Sequence, residues 1–243
     1  NQVKTADAGA IPLLVNLLKD VSPSVRADSS AALMTLAMNN DNQVKIANED
    51  NAITNLVNLL KDESSQIREH AATTLRTIAF NNPKNQLTIA NKGAIPLLVK
   101  LLSNTEPNKV RENAAGALMN LAMNADNQVK IVNEGAIPLL VNLLSDTSLQ
   151  VRGNAAVALG VLTMNVENKG KIAEAGAIPI LVNLLKDETS EVREYAARAL
   201  YSLAMNVENK GKIAEAGAIP ILVNLLSDTE RKIRLCAVVA LAS

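Results

Sequence analysis

The sequence predicts an all-α protein, a right-handed solenoid of about six three-helix units, on three observations. A tetrapeptide, Gly-Ala-Ile-Pro, returns at 9–12, 93–96, 135–138, 176–179 and 217–220, with a degenerate copy at Asn51-Ala52-Ile53-Thr54, in steps of 42, 42, 42, 41 and 41 residues. Self-similarity at such a period marks stacked repeats, in which no unit buries its apolar face alone. Between copies, apolar residues recur at three- and four-residue steps, the period of a helix with one buried stripe, and no alternating strand pattern occurs. The chain is 48% hydrophobic but only 1% aromatic. Leu, Ile, Val, Ala and Met must therefore fill the core.

Each unit is predicted to hold three helices. The first is short, as in Asn42 to Glu49 or Asn168 to Glu174. It stops at a Gly, or at Asn51, the other residue type that tolerates the left-handed conformation past a helix end. The second carries Pro near its first turn, where the missing N–H is no loss. Its apolar residues, such as Ile137, Leu139, Leu140, Val141, Leu143 and Leu144, surround most of the helix, which predicts extensive burial. The third begins near a Val-Arg or Ile-Arg pair (Val25-Arg26, Ile67-Arg68, Val110-Arg111, Val151-Arg152, Val192-Arg193, Ile233-Arg234) and runs through Ala-rich sequence. The units fall at approximately 1–40, 41–82, 83–125, 126–166, 167–207 and 208–243 of a single solenoid. Each Leu or Ile buried between units contributes about 1.5–3 kcal/mol, so a stack stands where one unit would not.

Composition excludes several classes. The 24 Lys+Arg balance 24 Asp+Glu, which argues against an electrostatic hold on nucleic acid, and the scarcity of aromatics removes stacking platforms for single strands. The single Cys236 excludes a disulfide scaffold and points to a reducing compartment, the cytoplasm with the nucleus left open. No apolar run predicts membrane insertion, and no signal peptide opens the chain.

Period, helix number and motif together resemble the armadillo repeat. The segment Gly135 to Leu144 is similar to that family's second helix, and Val110 to Ala122 to its third. The resemblance covers the whole chain. It implies a non-enzymatic scaffold or adaptor that binds an extended peptide or a helix along a concave groove lined by the third helices. Nuclear import adaptors of the family carry a Trp and, four residues on, an Asn on that helix. The Trp position here holds Ala31, Thr73, Gly116, Val157, Arg198 and Val239, and the Asn position holds Thr35, Thr77, Asn120, Val161, Ser202 and Ser243. An import-receptor function therefore lacks its ladder, and a basic partner is not implied. The substrate-binding arm of a ubiquitin ligase and an engineered array remain as alternatives. The identity of 164–185 with 205–226 favours recent duplication or an engineered array; the extra Asp50, the extra Pro83 and the lengthened turn 103–108 count against regular design.

Small polar residues are expected to line the groove. Three residues after the Val or Ile of the pair come Asp28, His70, Asn113, Asn154, Tyr195 and Cys236. Fourteen after it come Asn39, Asn81, Asn124, Asn165 and Asn206, either caps on the C-terminus of the third helix or, through paired donor and acceptor, contacts to a partner's backbone. Thr35, Thr77, Asn120, Ser202 and Arg198 complete the candidate peptide-binding residues. Tyr195, Arg198 and Tyr201 share one helix at three-residue steps and form the strongest candidate anchor. The repeated Arg reads structurally, as a partner for the acidic turn just before it (Asp20, Asp62, Asp146, Asp187, Asp228). Lys169-Gly170-Lys171 and Lys210-Gly211-Lys212 read as solvated steps on the convex side.

No catalytic, metal-binding or cofactor-binding grouping is evident. His70 is the only histidine, no Gly-rich phosphate loop occurs, and the lone Cys236 reads as a small half-buried residue. Because Asn1-Gln2-Val3-Lys4 matches Asn42-Gln43-Val44-Lys45, and Ser243 falls within a third helix, the chain reads as a piece of a longer array without polar capping units. The expected consequence is end-to-end self-association: light scattering over a concentration series will show mass above the monomer at high concentration, and a strict monomer throughout rejects it.

Overall fold

The computed structural model describes residues 1–242, so Ser243 and its place in the third-helix row lie outside the described residues. The described residues form helices and no strand, grouped in two compact units, Asn1–Glu134 and from Gly135 onward. The first unit holds α1 (Gln2–Asp7), α2 (Ala10–Leu17), α3 (Pro23–Leu36), α4 (Asn40–Asn48), α5 (Ala52–Leu59), α6 (Ser65–Ala79), α7 (Pro83–Asn91), α8 (Ala94–Lys100), α9 (Asn108–Leu121) and α10 (Ala125–Asn133). The second holds α11 (Ala136–Leu143), α12 (Leu149–Leu162), α13 (Val166–Glu174), α14 (Ala177–Leu184), α15 (Ser190–Ala204), α16 (Val207–Glu215), α17 (Ala218–Leu225) and α18 (Arg231–Ala242).

The joints follow the predicted chemistry. Gly9, Gly93, Gly135, Gly176 and Gly217 all take positive φ between 76° and 83°, and Asn51 does so at 63°. The chain there turns from a first into a second helix through a left-handed residue, where a Cβ costs about 1–2 kcal/mol. Every third helix starts two residues ahead of its Val or Ile. First helices begin two residues earlier than predicted, at Asn40 and Val166, because the Asn just before each caps it.

Third helices stack on third helices within each unit: α3 on α6 and α6 on α9 in the first, α12 on α15 and α15 on α18 in the second. Ala71, Ala72, Ala114 and Ala115, and Ala155, Ala156, Ala196 and Ala197, are fully buried at these contacts. Small side chains let the backbones approach closely, and Leu33, Ile67, Leu75, Ile78, Leu118, Leu159, Leu200 and Leu203 fill the space beneath. The second helices are less enclosed than expected. Ile137, Leu140, Val141, Leu143 and Leu144 are buried, yet Leu139 is only half-buried, as are Leu97, Ile180 and Ile221 at the same position, and Leu13 there is 66% exposed, so these helices have one outward stripe.

Two glycines separate backbone from packing effects. Gly176 has left-handed φ and Gly160 is helical, and a Cβ on either would meet nothing within 4 Å. Gly176→Ala is expected to lower stability by about 1 kcal/mol, and Gly160→Ala to raise it by about 0.5–1 kcal/mol, read from urea midpoints. A shift of the same sign in both variants would contradict this account.

Candidate functional site

The start of each third helix is held by one repeated arrangement. In the first unit, Asp20 and Asp62 each accept through Oδ1 the backbone N–H two residues on (Ser22, 2.8 Å; Ser64, 3.0 Å). Arg26 Nη1 donates to the carbonyls of Asp20 and Val21, while its Nε reaches forward to Asp62 Oδ2 at 2.8 Å. Arg68 does the same with the Asp62 and Glu63 carbonyls and with Glu106, at 2.6 Å. In the second unit Arg152 pairs with Asp187 at 2.9 Å and Arg193 with Asp228 at 3.1 Å, each also bonded to its own turn. The structural reading of the Arg row is right, but its assigned partner is corrected. The Arg gives its own turn hydrogen bonds to backbone carbonyls, and its carboxylate belongs to the following repeat. The turn's own Asp has already committed Oδ1 to its backbone and turns Oδ2 toward the preceding Arg.

Burial works against the charge on Asp62, but the Arg26 hydrogen bond, the Ser64 N–H and the nearby Arg26 and Arg68 charges outweigh it and hold its carboxyl below the ordinary carboxylate range. Asp187 is held low in the same way, against burial, by the Thr189 N–H and Arg152.

The Asn row caps a different helix end from the one expected. Asn39, Asn124, Asn165 and Asn206 are extended residues whose side-chain oxygens accept backbone N–H groups of the following first helix (Asn42, 3.1 Å; Asn127, 3.2 Å; Glu167, 3.0 Å; Glu208, 3.0 Å). They are N-caps, because the turn out of the third helix is so short that the Asn already belongs to the next helix. Asn81 alone keeps a C-terminal role, at φ 50°, since Pro83 moves the cap to Asn82. A row that the sequence reading did not single out lies three or four residues on. Asn42, Asn85, Asn127, Asn168 and Asn209 are buried and donate Nδ2 to carbonyls at the end of the third helix before them (Leu36, Ile78, Leu121, Leu162, Leu203) at 2.8 to 3.2 Å. Its signal was available, as an Asn recurring in every first helix.

The remaining candidates divide by exposure. Asp28 and Thr35 on α3 are exposed. On α6, His70 is half-buried, and its Nδ1 lies 3.2 Å from both the Ala27 carbonyl and the Ser30 hydroxyl. Thr77 is half-buried and donates to the Thr73 carbonyl. On α9, Asn113 and Asn120 are buried, and their amides are spent on the Lys109 carbonyl (2.9 Å) and, across to α6, the Arg76 carbonyl (2.8 Å). In the second unit Asn154 and Ser202 are half-buried. The Tyr195 ring lies where a Cβ on Gly153 would sit 3.6 Å from it, and the Arg198 side chain is 66% exposed with Glu194 at 3.6 Å. Tyr201 lines a shallow cavity of about 420 Å³ with Ala204, Met205, Lys210, Val239 and Ala242. Burial, then Glu194, pushes the half-buried Cys236 thiol up, which keeps it protonated. Lys169 is corrected: it is 7% exposed against α16, whose Asn209 donates to its carbonyl, whereas Lys171, Lys210 and Lys212 are exposed as expected.

One repeated position is apolar. Met38, Phe80 and Met123 in the first unit, and Met164 and Met205 in the second, occupy the same place in the turn just past a third helix and are 54% to 66% exposed.

The family model of the plant U-box protein ARM repeat region matches residues 65–241. This chain belongs to the armadillo-repeat family. Among solved structures, an engineered protein of the Northeast Structural Genomics Consortium superposes with a TM-score of 0.91 at 30% identity, over 96% of this chain and 95% of that one. The designed armadillo repeat protein YIII(Dq)4CqI gives 0.89 at 32% identity, over 96% and 98%. A designed armadillo repeat protein in complex with the peptide (KR)4 gives 0.87 at 32% identity, over 96% and 98%. No curated protein matches the sequence. The fold is thus the armadillo solenoid class, a scaffold with about six repeats, and no helix among the described residues is long and apolar enough to cross a membrane.

The armadillo Arg–Asp pairs set an acid limit to stability. A carboxylate held below its unfolded value of 3.8 stabilises the fold above that pH, and the contribution is lost as pH falls through the lowered folded value. The urea midpoint is expected to stay level from about pH 7 to 5 and to fall below about pH 4. Asp187→Asn should cost roughly 1 kcal/mol at neutral pH and flatten the acid limb; an unchanged acid limb would refute the assignment.

Proposed function

We propose that this armadillo chain is a non-enzymatic interaction module that binds an extended peptide along its concave third-helix groove. One observation carries the reading. Each repeat with a complete third helix leaves a large apolar side chain more than half exposed in the turn just past that helix, from Met38 to Met205. An exposed apolar side chain repeated at one position in successive repeats offers a partner a regular set of contacts. The polar contacts of this reading are Asp28, Thr35, Asn39, His70, Thr77, Asn81, Asn113, Asn120, Asn124, Asn154, Asn165, Tyr195, Arg198, Ser202 and Asn206. The amides of Asn113 and Asn120 are already committed, Asn113 within α9 and Asn120 across to α6, where it fixes helix spacing. A designed armadillo protein of similar structure is in complex with a peptide, which supports the mode without identifying this partner. The preformed helical surface limits the ordering cost of binding.

Two narrower readings have an observation each. The match to the plant U-box ARM repeat region favours the substrate-binding arm of a ubiquitin ligase whose catalytic domain is a separate part of the polypeptide. The engineered neighbours and the identical blocks 164–185 and 205–226 favour an engineered array. Nothing favours the import-receptor reading, since the Trp position is occupied by Arg198, Gly116 and small residues.

The test uses a displayed peptide library selected on the folded chain. Tyr195→Ala combined with Arg198→Ala is expected to weaken the selected peptides about tenfold or more, as the loss of a Tyr-Arg hot spot does, with the circular dichroism spectrum unchanged. Equal binding by variant and parent would remove these residues from the site.

A further inference from the structure

One side chain on the third-helix face of the first unit is placed unlike any other. Arg76, on α6, extends over α9 and lies flat on Gly116: a Cβ at Gly116 would sit 2.5 Å from its Nε, 2.7 Å from its Cζ and 2.8 Å from its Cδ. Only glycine leaves that space. The equivalent positions in the other repeats hold Ala31, Thr73, Val157, Arg198 and Val239. Around Arg76 the two helices are tied by the Asn120 amide, which donates to the Arg76 carbonyl, and Asn113 is buried beside it.

Despite this fixed position the guanidinium is almost unused. Its one side-chain hydrogen bond is from Nη1 to Asn113 Oδ1 at 3.5 Å, and no carboxylate among the described residues lies within ion-pair distance of it. Of the nearby acids, Glu112 is engaged. Glu112 holds Lys109 at 2.9 Å, and the Lys109 ammonium is pushed up by the Glu112 hydrogen bond and charge, with Glu69 adding to it. Glu69, Glu112 and Lys109 together carry one net negative charge, and the half-buried Arg76 acts on the same group from further along the face, with most of its guanidinium donors still open.

We propose that Arg76, seated on Gly116, is the docking point for a carboxylate side chain of an extended acidic peptide crossing α6 and α9. The planar fork of a guanidinium matches the two oxygens of a carboxylate, and its position is set before the partner arrives, so little rotamer freedom remains to be lost. The proposal rests on the groove reading above and gives it a charge preference, for acidic over basic peptide.

The experiment uses fluorescence anisotropy of the whole chain with three labelled octapeptides, (SE)4, (SQ)4 and (KR)4, at low salt. The parent is expected to bind (SE)4 roughly tenfold more tightly than (SQ)4, and (KR)4 no better than (SQ)4. Arg76→Gln is expected to abolish the difference between (SE)4 and (SQ)4. Gly116→Ala, which displaces the guanidinium with no backbone strain in a helix, is expected to reduce it. Urea midpoints of both variants close to the parent's separate this from unfolding. Equal affinity of the parent for (SE)4 and (SQ)4 overturns the carboxylate site and leaves the groove reading standing. So does an acidic preference that survives Arg76→Gln. Failure of all three peptides to bind overturns the site and the groove reading together.

Discussion

Asp62, Asp187 and Asp228, each at the entrance to a third helix, are divided between two tasks: one carboxylate oxygen closes its own turn on a backbone N–H, and the other receives the Arg of the repeat before it. The Arg is divided in the same way, between carbonyls of its own turn and the carboxylate of the next. Local turn geometry and the spacing of adjacent third helices are therefore set by the same atoms. The pairs are only partly exposed, so water screens them less than it would an open surface pair. A shift of one third helix against its neighbour would leave both groups desolvated and unpaired, which costs more than the pair contributes when intact.

At the opposite end of the third helices the same result is reached without charge. The buried Asn of each first helix binds the carbonyls left open where the third helix stops, and Asn42, Asn127 and Asn209 each bond in addition the first helix of the repeat before (the carbonyls of Gln2, Gln86 and Lys169). Orphan carbonyls at a helix end need such partners once they are buried. With both ends fixed and Ala between them, the third helices present a surface whose side-chain rows keep their register within each unit. The flat-lying Arg76 is a consequence of that rigidity, since it would not hold its place on a mobile helix.

What was legible in the residues was whatever depends on neighbours in the chain. Left-handed Gly and Asn51, Pro in the second helix, the Ala-rich third helix and the repeat period all follow from local sterics. The errors fell where a side chain had a choice of partner. Asn39 and its equivalents were assigned to the helix they follow, and the structure gives them to the helix they precede. The Arg row was assigned the nearest acid in sequence, and the structure gives it one some 36 residues away. Arg76 carried no signal at all, because its placement depends on a missing Cβ at Gly116, forty residues on.

The segments 164–185 and 205–226 separate the two kinds of information, because they are identical. Sequence alone fixed their helices, which have the same lengths, the same Asn caps and left-handed glycines at 83° and 77°. Tertiary structure decided their surroundings. Ile178 is 2% exposed and Ile219 51%, Val182 3% and Val223 50%, and Lys169 is buried while Lys210 is exposed. A helix forms from hydrogen bonds and torsions within its own residues, whereas burial belongs to whatever packs against it. In the second unit α16 lies against α13, and no described helix stands in that relation to α16.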